Sequence, residues 1–252
     1  MTGQRVALVT GASSGIGAAI ARELGRWPDL RLVLLARRTD RLRALAAELP
    51  SADVIGADLT SPDAPRQILD RLDAGPRRLD ILVNNAGAHF GGTFAATGWE
   101  NVRRSLELNF AAHVRLTESV LPLLRASTGT VVNVASVAGR IGLAGSGAYS
   151  AAKFALCGWS EALHAEERPH GVHVALVLPG FVATEGFTYP TRRASRSGRL
   201  LVSTDRTVAT AIGQVVRRRT AERYVPRPWW LLAASRRALP GLHRRATPTI
   251  ET

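Results

Sequence analysis

Short apolar runs at residues 6–9, 32–36, 54–57, 81–83, 131–135 and 172–178 alternate with longer amphipathic stretches. This alternation constrains the fold more than any other feature of the chain. Near-continuous apolar runs, such as residues 32–36, suit strands that are buried on both faces. The gaps hold segments with helix-like apolar spacing or good helix formers, at 18–24, 40–49, 62–72, 99–124 and 149–168, several with Asp, Ser or Thr near the start. Crossovers of that length can return each strand parallel to its neighbour. The sequence therefore predicts an α/β fold, a doubly wound parallel sheet flanked by helices. A chain of 252 residues is within reach of one such domain, and its 46% hydrophobic content with ordinary Gly and Pro usage excludes collagen-like and disordered classes. No repeat or linker interrupts the first 190 residues. Residues 1–190 are read as the core of the domain, and residues 191–252 as a loop, the last helix and strand, and a basic C-terminal extension of the same domain.

The first apolar run leads into Thr10-Gly11-Ala12-Ser13-Ser14-Gly15-Ile16-Gly17, and a helical pattern opens at its end. Glycines allow a tight turn and close approach of backbone to a pyrophosphate, whose charge is favoured by the free N–H groups at a helix N-terminus. A plain strand-to-helix turn would also use a glycine or two, so the motifs that follow matter. Asn84-Asn85-Ala86-Gly87 follows the fourth run, Asn109 lies in the long helix and Ser136 follows the fifth run. Tyr149 and Lys153 open the next helix, and Pro179-Gly180 with Thr184 follow the sixth run.

In order and spacing, these motifs resemble the short-chain dehydrogenase/reductase family over about residues 5–185, and the fold implied is of Rossmann type. The resemblance implies an oxidoreductase that transfers a hydride between a nicotinamide cofactor and a ketone or secondary alcohol of apolar or lipid-like character, with residues 1–190 as its dinucleotide-binding and catalytic core and the substrate loop within residues 191–252. It places Gly11, Ser13, Ser14, Gly15, Ile16 and Gly17 on the pyrophosphate side. Asp58 would accept from the adenine amino group with the Leu59 backbone assisting, and Asn85, Ala86 and Gly87 would line the adenosine ribose. Pro179, Gly180, Val182 and Thr184 would lie on the nicotinamide side, with Thr184 at the carboxamide. Ser136 would hydrogen-bond the substrate oxygen, Tyr149 would act as general acid, Lys153 would also hold the nicotinamide ribose, and Asn109 would anchor a water in the proton relay.

Some of this chemistry is legible in the residues themselves. Tyr149 and Lys153 are four apart, so on a helix they share a face. A nearby ammonium stabilises phenolate, and the expectation is that Lys153 lowers the Tyr149 pKa. The chain has 33 basic side chains, and Lys153 is its one lysine. A compact ammonium where every other cation is arginine suggests a requirement that a guanidinium does not meet. After the second run come Arg37 and Arg38 where an acidic residue would favour NAD. A guanidinium fork suits a ribose 2′-phosphate, so NADP(H) is the expected cofactor, chiefly through Arg37. Asp40 is read as a helix N-cap, and Asp58 could instead cap a turn.

The net charge of +13 is unevenly spread: residues 192–245 carry 14 arginines against Asp205 and Glu222, whereas residues 1–191 are close to balanced. The basic end suggests an anionic membrane, an acidic carrier or a phosphorylated substrate, or serves solubility alone. It ends with Trp229-Trp230-Leu231-Leu232, Arg236-Arg237 and Arg244-Arg245, not the Asp-Gly-Gly ending common among acyl-carrier thioester reductases of this family. As a helix, Leu231, Leu232, Ala238 and Leu239 would share one face and Trp229, Trp230, Arg236 and Arg237 the other. An interfacial helix has that mix, and so does a helix docked on the core. Residues 226–245 are expected near the substrate entrance or on an anionic membrane, and Phe187, Tyr189, Leu200 and Leu201 are candidates for an apolar pocket. The first residues imitate a signal peptide, but Thr10, Gly11, Ser13, Ser14, Gly15 and Gly17 interrupt the apolar stretch, and no run is long enough to span a bilayer. The expected location is cytoplasmic, with peripheral contact at the inner face of a membrane as an option.

Cys157 cannot form an internal disulfide and is read as a buried apolar side chain. The six histidines form no ligand cluster, so no metal is expected. By resemblance, the helices at 99–124 and 149–168 would pack in a homodimer, and no nucleic-acid partner is expected. The alternative is a non-catalytic NADP-binding regulatory or interaction protein on the same fold.

Overall fold

The computed structural model describes residues 4–75, 77–183 and 201–241. Strand β1 (Arg5–Thr10) is followed by α1 (Gly15–Leu24), β2 (Leu30–Ala36), α2 (Thr39–Ala47), β3 (Ala52–Gly56), α3 (Ala64–Ala74) and β4 (Ile81–Asn84). The second half continues with α4 (Phe94–Leu106), α5 (Ala112–Ala126), β5 (Thr130–Val134), α6 (Gly147–Glu167) and β6 (His173–Pro179). Then come β7 (Phe181–Ala183), β8 (Val202–Thr204), α7 (Asp205–Arg218), β9 (Glu222–Val225) and α8 (Trp229–Ala238). Seven strands form one parallel sheet in the order β3-β2-β1-β4-β5-β6-β9, while β7 and β8 pair separately. This is the expected doubly wound architecture.

The apolar runs are continuous because both faces of the sheet are covered. In β1, Ala7 and Val9 join a core with Ile20 and Leu24 of α1, Leu42 and Leu45 of α2, and Val208 and Ile212 of α7. Val6 and Leu8 point to the opposite core, with Ile68 and Leu72 of α3 and Leu116, Val120 and Leu124 of α5. Side chains alternate across a strand, so a strand in the middle layer is mostly apolar, and the polar side chains it does bury, such as Asn84 and Asn133, are hydrogen-bonded to each other.

The helix expected at 99–124 is interrupted. Helix α4 starts earlier, at Phe94, bends at Gly98 (φ 59°), and joins α5 through a π turn at Glu107–Ala111 that contains Asn109. Asp40 is also placed differently from the expectation: Arg38 occupies the N-cap of α2 and Asp40 lies in its first turn, where its charge still meets the positive end of the helix dipole.

Candidate active site

The motif residues that the structure describes converge at the carboxyl ends of β1, β4, β5 and β6, and the crossovers from β1 and β4 leave the sheet in opposite directions and open a crevice. The turn after β1 depends on glycine. Gly11 and Gly15 have φ of 68° and 52°, and a Cβ on Gly17 would fall 2.2 Å from the Gly11 carbonyl oxygen. Ser14 caps α1 by position but not by side chain, and no acidic residue occupies the first turn, so the leading N–H groups of α1 are not claimed by a side-chain cap. The Ser14 hydroxyl instead accepts from Arg38 Nη2 at 2.7 Å, and Ser13 Oγ accepts from the same nitrogen at 3.0 Å. Arg37 is exposed and its Nη1 lies 3.9 Å from Asp58 Oδ2. Of the two arginines, Arg38 is therefore the one drawn over the glycine turn.

Asp58 makes the turn contact that was the alternative reading: its Oδ1 accepts from the Thr60 amide at 3.0 Å and the Thr60 hydroxyl at 2.8 Å. The Thr60 amide is the main cause of a depressed Asp58 pKa. Leu59 is buried beside it.

Thr10 was not singled out from the sequence, yet it fastens two motifs together. Its hydroxyl donates to the Val83 carbonyl at 3.1 Å and accepts from the amides of Asn85 and Ala86, both at 2.9 Å. Asn85 Nδ2 returns a bond to the Thr10 carbonyl at 2.9 Å. Beneath it, Asn84 Nδ2 donates to Thr117 Oγ1 and Asn133 Oδ1, and Asn133 Nδ2 donates to Ser160 Oγ. His113 Nε2 lies 2.7 Å from the Ala86 carbonyl. Burial, with the Lys153 charge nearby, pushes His113 down to about 3, so the ring is neutral and donates from Nε2. A hydroxyl at the end of a strand and a histidine in a helix carry no sequence signature of these roles.

Asn109 is fully buried in the π turn. Its Oδ1 accepts from the Ala88 amide at 3.2 Å, and its Nδ2 donates to the carbonyls of Ala88 and Ser105 at 3.0 and 3.1 Å. Both amide N–H donors are thereby used, so the side chain buttresses the segment after Gly87. A Cβ on Gly87 would fall 2.6 Å from Asn109 Oδ1 and 3.8 Å from Lys153 Nζ. Gly87 thus allows the two residues to approach one point.

Ser136, Tyr149 and Lys153 are brought together by β5 and α6. Ser136 Oγ accepts from the Ala138 amide at 3.1 Å, capping a short 3₁₀ turn, and lies 3.4 Å from the Pro179 carbonyl. Its hydroxyl also lies near enough to the Tyr149 phenol to favour the ionised form. Lys153 is buried, donates to the Val134 carbonyl at 2.9 Å, and sits 5.7 Å from the centre of the Tyr149 ring. The expected depression of the tyrosine is not found: burial pushes Tyr149 up to about 12, and the opposing influence is the Ser136 hydroxyl, not the ammonium. Burial also lowers Lys153 to about 8. The phenol is accordingly a proton donor at neutral pH. His89 stands edge-on to the Tyr149 ring, with centroids 5.2 Å apart, and its Nε2 is 2.8 Å from Ser146 Oγ.

Pro179 ends β6, Val182 is buried in β7, and Gly180 lies against Trp229: a Cβ there would fall 2.0 Å from the indole nitrogen. The grouping of Trp229 with Trp230 is therefore corrected. Trp229 and Ala233, one turn apart, face inward, and Trp229 Nε1 donates to the Leu201 carbonyl at 2.9 Å. The bare surface of Gly180 is what admits the indole. Leu201 packs in the small apolar cluster around Trp229, with Val137, Ile141 and Phe181. Thr184, Phe187, Tyr189, Leu200, Arg244 and Arg245 lie outside the described residues. Cys157 is buried, with its thiol raised to about 11. Among the described residues, no group of three or more His, Cys, Asp or Glu is arranged to hold a metal ion, and no helix is long and apolar enough to cross a membrane.

The comparisons with known proteins agree with this geometry. The profile described as short chain dehydrogenase matches residues 5–193. A ketoacyl reductase, HetN, of Nostoc sp. is 32% identical over 88% of this chain and 78% of its own length. A 3-ketodihydrosphingosine reductase of Bacteroides thetaiotaomicron is 33% identical over 73% of this chain and 66% of its own. The crystal structure of a short-chain dehydrogenase from Streptomyces avermitilis superposes with a TM-score of 0.81, at 32% identity and 98% coverage of both chains. With the profile spanning most of the chain and the motif residues gathered at one crevice, the protein belongs to the short-chain dehydrogenase family of nicotinamide-dependent oxidoreductases.

Proposed function

We propose that the protein is an NADP(H)-dependent carbonyl reductase, or alcohol dehydrogenase in the reverse sense, acting on an apolar or lipid-like ketone. The observation that carries the reading is the meeting of Ser136, the protonated Tyr149 and buried Lys153 beside the glycine turn. The crevice fits the cofactor. Gly11, Gly15 and Gly17 admit close backbone approach, Ile16 follows in the first turn of α1, and the N–H groups there are left for a phosphate. Arg38, already donating to Ser13 and Ser14, would meet a ribose 2′-phosphate, with Arg37 beside it.

When bound, NADPH supplies the hydride. Ser136 would hold the substrate oxygen by a hydrogen bond, and Tyr149 would deliver its phenolic proton to that oxygen. Lys153 would hold the nicotinamide ribose, and the Ser136 hydroxyl would stabilise the phenolate left behind. Asn109, with both side-chain N–H donors engaged by Ala88 and Ser105, would offer a relay water only acceptor oxygens. Asp58, Leu59, Asn85, Ala86 and Gly87 would flank the adenosine, and Pro179, Gly180, Val182 and Thr184 the nicotinamide. The named relatives act on ketoacyl and ketosphingoid compounds by their names, which supports a chain-bearing ketone. The same reading includes a cytoplasmic homodimer, residues 191–252 as substrate loop and extension of the one domain, and peripheral contact of the C-terminal segment with a membrane.

The test is an NADPH oxidation screen against ketones graded by chain length. A substrate should be found, and Tyr149→Phe should lower kcat by about 10²- to 10⁴-fold while NADPH binding persists. Near-normal turnover by Tyr149→Phe on that substrate would refute the assignment.

A further inference from the structure

We propose that α8 and the arginines beside it form a docking surface for an anionic lipid membrane. The inference rests on the reading of the C-terminal segment as a membrane contact, and it specifies the lipid chemistry and the side chains.

Helix α8 is fastened to the protein along one stripe. Trp229 and Ala233 are buried, and the third member of the stripe, Arg236, donates to the Arg140 carbonyl at 2.9 Å and stacks over Phe154. That arrangement leaves the large apolar side chains outside. Trp230, Leu231, Leu232 and Leu239 are 52%, 55%, 41% and 56% exposed. The aliphatic positions are therefore not the face by which the helix docks on its own core.

The flank of this helix is cationic. Arg218 at the end of α7, Arg223 on the edge strand β9 and Arg227 two residues before α8 lie along this edge of the sheet, and burial, then Arg227 and Arg218, lower the pKa of Arg223. None of the three has a carboxylate partner among the described residues. The adjacent carboxylate, Glu222, is held by Arg140 at 2.5 Å. Like charges gathered without counter-charge call for an anionic partner.

Three partners could be considered, and the two features together separate them. A second copy docking through this same face would place two such cationic patches in one interface with no counter-charge. A nucleic acid would use the arginines but leave Trp230, Leu231 and Leu232 without a role. An anionic bilayer surface takes both: aromatic and aliphatic side chains enter the headgroup boundary while arginines meet the lipid phosphates.

The full chain would be sedimented with vesicles of phosphatidylcholine, with and without phosphatidylglycerol, at low and high salt. Binding to the anionic vesicles at low salt is expected, weakening as salt rises. R223Q/R227Q should weaken it about thirty-fold, from roughly one kilocalorie per arginine, and W230S/L231S/L232S by about ten-fold or more. Both variants should keep solution reductase turnover, which separates this surface from the catalytic reading. As a check independent of the multiple variants, brominated anionic lipid should quench tryptophan emission in the unmodified protein, less so in Trp230→Phe. Equal binding to neutral vesicles would overturn the anionic assignment while leaving a membrane contact. Absence of binding to either would overturn both. Undiminished binding by the apolar variant, as expected of a nucleic-acid patch, or an α8-dependent doubling of mass without vesicle binding, would also overturn the proposal.

Discussion

Replacing Lys153 with Met should make the cofactor-free fold more stable while abolishing turnover. Lys153 is 3% exposed, and its ammonium has a carbonyl, that of Val134, as hydrogen-bond partner. Burial holds its pKa near 8 instead of 10.5, a difference worth about 3 kcal/mol at about 1.4 kcal/mol per pKa unit. Below pH 8 the lysine is protonated in both native and unfolded chains, so the native state carries this whole penalty. Between pH 8 and 10.5 the unfolded chain binds more protons than the native one, and wild-type stability from this group rises with pH. Met fills a similar volume without a charge, but it leaves the Val134 carbonyl without its donor, a loss of about 1 kcal/mol. The expected net gain is about 2 kcal/mol at pH 6.5, shrinking toward zero or reversing near pH 10. Urea unfolding at both pH values, followed by tryptophan fluorescence and compared at equal m, measures it. A variant less stable than wild type at pH 6.5, or a difference that does not change with pH, would refute the reasoning.

Three other substitutions test separate contacts. Arg38→Glu should reduce the preference for NADPH over NADH by about ten-fold or more and should exceed the effect of Arg37→Asp, because Arg38 is the arginine held by Ser13 and Ser14; equal effects in fluorescence titrations would contradict this. Gly17→Ala places a Cβ 2.2 Å from the Gly11 carbonyl oxygen, a backbone atom with little room to yield. It should cost about 3 kcal/mol and impair NADPH binding, and a variant with unchanged melting temperature and binding would show that the turn can relax. Gly180→Ala drives a methyl into the Trp229 indole and should cost about 1–3 kcal/mol. The loss should be smaller in a Trp229→Leu background, and additive losses in a double-mutant cycle would deny the contact.

The strand positions were legible in the sequence because a parallel sheet covered on both faces needs uninterrupted apolar runs, such as Leu32 to Ala36. The glycine turn was legible because a positive φ at Gly11 and Gly15, and contact at Gly17, leave little choice of residue. Tyr149 and Lys153 share a face because they are four apart on α6, a relation that helix geometry sets by itself.

The state of those groups was another matter. The tyrosine is raised because the folded chain buries it, and the ammonium expected to lower it is directed at Val134. Thr10 holds Asn85 across 75 positions of sequence, and Asn84 meets Asn133 across 49. The inward turn of Trp229 depends on the bare surface of Gly180, and the position of Arg38 over the glycine turn depends on where Ser13 and Ser14 come to rest. Periodicity and propensity act over a few residues. Burial, charge state and hydrogen-bond partners depend on which distant segments the completed sheet places side by side, and only the tertiary structure decides those.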